Sequence, residues 1–101
     1  MNVTGPAFQS DGAGPWIAKR VIAELDYSID WTDWLEGDTI SVSQWTVPAG
    51  LTLITQTQVA GKVTAWLKDG VLGAEYVVTN TITTANATPR KEAQSFRVVV
   101  I

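Results

Sequence analysis

Five carboxylates fall in one short stretch, Asp26, Asp30, Asp33, Glu36 and Asp38, interleaved with Trp31 and Trp34 and followed by Trp45. Three chemistries could use such a set. Paired carboxylates, Asp30 with Asp33 or Glu36 with Asp38, could act on a glycosidic bond. Clustered carboxylate oxygens could ligate calcium, and exposed indoles could stack on sugar rings. The first use is disfavoured because both pairs sit inside one local cap and turn, where two carboxylates facing each other across a cleft do not naturally arise. With no His and no Cys in the chain, neither a Ser-His-Asp triad, a Cys-His pair nor a thiolate zinc site can be assembled. No nucleophile, base and orienting group come together, so the expectation is a protein that is not an enzyme. Calcium would need a regular alternating ligand loop, which is missing; the acidic residues read better as caps, turn residues and a solvated face. No metal or other cofactor is expected.

The elements that must position these residues are legible in the pattern. Residues 26 to 51 read as a strand, a single helical turn, a second strand and a tight turn. Asp30 can cap the helical turn by accepting backbone N–H bonds, and Asp33 stands at the capping-box position beside the positive end of the helical dipole. Gly37 ends the turn. Trp31 and Trp34, spaced i and i+3, share one face of it and can plug an open end of the adjoining sheets.

The remaining chain supplies the sheets. Residues 1–18 are rich in Gly, Pro and small side chains without a buriable periodicity, and are expected to form a flexible arm; the alternative is an arm that orders against a neighbouring subunit, with Phe8, Trp16 and Ile17 as anchors. Residues 19–101 are expected to form the domain. From Lys19 to Ile29, Val21, Ala23, Leu25, Tyr27 and Ile29 alternate as in a half-buried strand. Thr39 to Val47 is a second strand in which Trp45 falls on the face opposite Ile40 and Val42, so that either a bulge switches the facing or Trp45 points outward. Val47 to Gly50 makes a turn. Leu51 to Val59 and Lys62 to Lys68 form a hairpin about Ala60-Gly61, with Val63, Ala65 and Leu67 inward and Trp66 outward, where it is expected as a further protein contact. Ala74 to Thr84 and Glu92 to Ile101 complete the set. About six strands, one helical turn and no longer helix predict an all-β, antiparallel β-sandwich of immunoglobulin type rather than an α/β arrangement. In such folds a Tyr at the position of Tyr76 ties the penultimate strand to the preceding corner, a structural role.

The series Leu25-Asp26-Tyr27, Ile29-Asp30-Trp31, Trp34-Leu35, Gly37-Asp38-Thr39-Ile40, Trp45-Thr46-Val47-Pro48 and Gly50-Leu51 resembles small immunoglobulin-like structural proteins of tailed bacteriophages, of the fiber-tail adaptor type. The resemblance continues through Val63 to Leu67, Tyr76-Val77-Val78-Thr79-Asn80 and Ser95-Phe96-Arg97-Val98, covering roughly residues 20 to 100. It implies a virion component, assembled in the bacterial host cytoplasm and present in multiple copies at a tail, neck or fiber attachment site. Its partners would be other phage tail, neck or fiber proteins. A host-surface carbohydrate-binding module, resting on Trp66, Trp16 and Trp45, and a head decoration protein are the alternatives.

Composition narrows the partners. The net charge is -3, which disfavours nucleic acid, since affinity for phosphates comes from clustered Lys and Arg. No run approaches the ~20 apolar residues that span a bilayer, and no basic start with an apolar core marks a signal peptide. No membrane partner is expected.

Overall fold

The computed structural model describes residues 2–4, 9–11 and 14–101. In chain order the elements are β1 (Asn2–Thr4), β2 (Gln9–Asp11), β3 (Gly14–Lys19), β4 (Leu25–Asp30), α1 (Thr32–Leu35), β5 (Ile40–Thr46), β6 (Leu51–Val59), β7 (Lys62–Asp69), β8 (Glu75–Thr84) and β9 (Lys91–Val100). They form two sheets, ordered β1-β4-β7-β6 and β2-β3-β9-β8-β5, packed face to face around one core. The six expected strands are β4 to β9.

Alternation decides what the sheets bury. Tyr27 and Ile29 of β4 and Val63, Ala65 and Leu67 of β7 line the inner face of one sheet. They meet Tyr76, Val78 and Ile82 of β8 with Phe96, Val98 and Val100 of β9. Tyr27 stacks on Phe96 across the core, ring centroids 6.0 Å apart. β5 carries a register shift between Ile40 and Val42, and this bulge answers the facing problem at Trp45: beyond it the indole turns inward, edge-on to Phe96 at 6.2 Å.

Three features depart from the pattern read in the sequence. The expected strand from Lys19 to Ile29 is interrupted by a turn, closed by Ala23 N–H donating to Arg20 O, through which the chain passes from one sheet to the other. Val21 and Leu25 are accordingly exposed. The boundary drawn between residues 18 and 19 falls inside the sandwich, because β3 pairs with β9 from Trp16–Arg97 to Lys19–Val100. That pairing is parallel, while the other strand pairs are antiparallel. Finally, the turn before β6 lies one residue later than expected. Leu51 N–H donates to Pro48 O, which puts Gly50, at φ +101°, in the third position where a type II turn needs positive φ.

Candidate interaction surfaces

At one end of the sandwich the acidic stretch folds back over the core. Asp30 Oδ1 accepts from the hydroxyl and, secondarily, the backbone N–H of Thr32, which holds the Asp30 carboxyl below its ordinary range. The helix itself begins at Trp31 as the N-cap, without a side-chain cap bond, and ends at Glu36 in the left-handed conformation ahead of Gly37. Asp33 lies in the first turn of α1. Trp31 is fully buried, 0 % exposed. Its backbone N–H donates to Gly61 O at the tip of the β6–β7 hairpin, and its Nε1 donates to Asn80 Oδ1 at 3.0 Å. Asn80 is equally buried and donates onward to Ser43 Oγ and Gln44 O. Trp34 packs edge-on against Trp31 at 5.4 Å, half-buried beneath Arg90, whose guanidinium lies 4.4 Å from the ring centroid and donates to Leu35 O. The aromatic pair therefore closes this end.

Two depressions flank the Gly37–Thr39 corner. One, about 400 Å³, is lined by α1 with Ile40, Gln58 and the Ala60–Gly61 tip; the other, about 450 Å³, runs between Glu36 and Arg90. Asp38 belongs to both, with Oδ1 bound to Thr39 N–H and Oδ2 buried without a partner among the described residues. The carboxylates point to separate tasks, and among the described residues no three acidic groups gather as metal ligands.

The opposite end is organised by a lysine. Alternation along β3 turns Ile17 and Lys19 inward, so Ile17, expected as an arm contact, is 3 % exposed and Lys19 1 %. Lys19 Nζ donates to the carbonyls of Arg20, Val21 and Asp69, the last at 2.6 Å, and its own carbonyl receives Ile101 N–H. Burial lowers the Lys19 pKa, opposed by Asp69 and Glu24. These bonds fix the 20–24 turn beside the β7–β8 connection and the last residue. There Tyr76 hydroxyl accepts from Val71 N–H at 3.0 Å, the corner tie expected of Tyr76, and a Cβ at Gly50 would stand 2.8 Å from the same oxygen. The aliphatic groups of this end remain in water: Ile22 is 88 % and Leu72 69 % exposed, with Val21, Val71 and Ile101 also exposed.

Of the remaining expected contacts, Trp66 stands 39 % exposed on the outer face of β7, in register between Asp26 and Thr55. Trp16 is half-buried opposite Arg97. Phe8 lies outside the described residues. Reading the sequence missed Lys19, Asn80 and Arg90. Only Asn80 announced itself, as the one amide at an inward position between Val78 and Ile82. No curated protein matches the chain. A family described as podophage GP4 fiber-tail adaptor protein gp77 matches residues 19–99, spanning both sheets and the aromatic turn, and the chain belongs to that family.

Proposed function

We propose that this chain is a structural component of a podophage virion that holds fiber and tail together by protein contacts and catalyses no reaction. The match over residues 19–99 carries the reading. Geometry supports it: Asp30 and Asp38, one from each candidate catalytic pair, are occupied with neighbouring backbone N–H groups. Lettering β4 to β9 as B to G gives sheet orders B-E-D and G-F-C, an order that supports reading the sandwich as immunoglobulin-like. Such a body serves as a rigid spacer, present in several copies so that modest contacts multiply. Its contacts would involve the residue 1–13 segment with Phe8, the rings of Trp16 and Trp66, and the aliphatic end around Ile22 and Leu72.

Phage lacking this chain should assemble heads and tails that carry no fibers; fibers attached at their normal number would overturn the proposal. A cut after residue 13, which removes β1 and β2 but spares Ile17 and Lys19, should leave the sandwich folded and reduce incorporation into particles. Normal incorporation would remove the segment from the contact set.

A further inference from the structure

From Thr39 to Gly61 the chain has no Asp, Glu, Lys or Arg, although seven basic and ten acidic residues are spread over the rest. That uncharged stretch supplies β5 and β6, which are the outer strands of the two sheets. They share one flank, where Gln58 Nε2 of β6 donates to Ile40 O of β5. The opposite flank is occupied by the chain's own β1 and β2. An outer strand presents a row of backbone N–H and C=O groups without strand partners, and sandwiches ordinarily protect such rows with charge or proline. Neither β5 nor β6 contains either residue type.

β6 is further unusual in what it leaves exposed. Ile54 is passed over in a register shift, and from Ile54 to Val59 every side chain is exposed, on both faces of the strand. This segment therefore contributes little to the core. What it offers is its edge, a row of alternating donors and acceptors whose spacing another extended strand matches.

We propose that β6 is a self-association edge, pairing antiparallel with β6 of a second copy about a two-fold axis at Thr57. In this register Thr57 faces itself, Gln56 faces Gln58 and Thr55 faces Val59, and the sheet β1-β4-β7-β6 continues into its symmetry mate. The second copy is the occupant because charge rules for it: near a two-fold axis any charged residue meets its own like, and this strand has none. A charged foreign strand would find nothing to complement. The inference concerns the isolated chain and does not depend on where in a virion it sits.

Sedimentation equilibrium of the full chain, from micromolar to near-millimolar concentration, should show a monomer–dimer equilibrium. Thr57→Lys, which places two ammonium groups opposite each other, should weaken it at least about tenfold while leaving the melting curve of this exposed position unchanged. Because the chain has no cysteine, Thr57→Cys provides a direct test of register. Directly opposed residues bring Cα atoms to about 4.5–5.5 Å, within disulfide reach, so mild oxidation should cross-link it far faster than Val77→Cys, an exposed position on β8. A monomer throughout, a dimer indifferent to Thr57→Lys, or equal cross-linking of the two cysteine variants would each overturn the proposal.

Discussion

At the α1 end an indole is fully buried and its single polar atom is tied to Asn80, whereas at the Lys19 end the buried side chain is a charged one and the aliphatic groups stand in water. Both ends must cover the same core with loops. Trp31 does so by filling space, the ordinary route to stability. Lys19 does so by satisfying carbonyls, which orders the backbone of two loops and leaves Ile22, Val71 and Leu72 free to face outward. Aliphatic groups held in water on an ordered backbone are suited to contact. On the proposed function, space-filling falls to the α1 end and contact with other proteins to the Lys19 end.

Trp31→Ala should be the most damaging substitution. It removes the largest fully buried side chain and strands the Asn80 carbonyl, at a cost of about 3–5 kcal/mol. For a domain of this size each kcal/mol lowers Tm by roughly 4–8 °C, so a thermal melt should show Tm lowered by roughly 12–40 °C. A drop of only a few degrees would mean that the aromatic pair is a lid rather than a plug, and the comparison between the ends would fail.

Lys19→Met keeps the length and apolar stem of the side chain but leaves the Arg20, Val21 and Asp69 carbonyls without their donor. The expected loss is about 2–4 kcal/mol, read by urea titration, with amide exchange quickened most in the 20–24 turn and around Asp69. A variant as stable as the parent would show that ammonium anchoring is dispensable and that water serves those carbonyls equally well.

The core shared by both ends responds to alkali through Tyr27. Burial, and secondarily Asp26, pushes its phenol from 10 to about 12. Between those values the unfolded chain releases a proton that the folded chain keeps, so the folded state binds more protons and stability falls as pH rises. The loss is about 2–3 kcal/mol across the window, and none arises from this group below pH 10. Lys19, with its pKa lowered from 10.5, acts in the opposite sense at lower pH: the unfolded chain holds the extra proton, and stability rises toward 10.5. Melting curves collected from pH 9 to 12 should therefore show an alkaline decline that Tyr27→Phe abolishes. A decline unchanged in Tyr27→Phe would place the sensitive group elsewhere.

How far the sequence revealed these ends follows from the kind of force at each. Strands β7 to β9 were legible because burial imposes a period of two, which Val63, Ala65 and Leu67 display without interruption, whereas β6, exposed on both faces from Ile54 to Val59, was bounded by its flanking turns. The aromatic turn was legible as a helical turn between two strands, but its caps were not: Trp31 rather than Asp30 is the N-cap, without a side-chain bond, which takes Asp33 out of the capping-box position, and Glu36 is the C-cap. The Lys19 end was not legible. Val21, Ala23 and Leu25 continue the alternation of a strand straight through a turn between sheets, so periodicity alone conceals the crossing. A lysine that satisfies three carbonyls has no local signature, because Asp69 lies fifty residues away. Gly14 and Pro15 gave β3 the Gly- and Pro-rich composition of the residues before it, and its pairing with β2 and β9 shows it to be a strand.

The smallest expected effect on stability is also the sharpest test of the division between the ends. Ile22→Ser combined with Leu72→Ser removes two side chains that stand in water, so their loss should change the unfolding free energy by less than about 0.5 kcal/mol. Hydrogen bonds beneath them use backbone atoms and remain available. If this end makes the contacts, the same double variant should be incorporated poorly into particles despite melting like the parent. The converse variant, Trp34→Phe, keeps a ring beneath Arg90 and should be incorporated normally whenever it folds. Normal incorporation of the serine variant would move the contacts to the flanks and to Trp66, and the aliphatic end would then be an exposed patch without a partner.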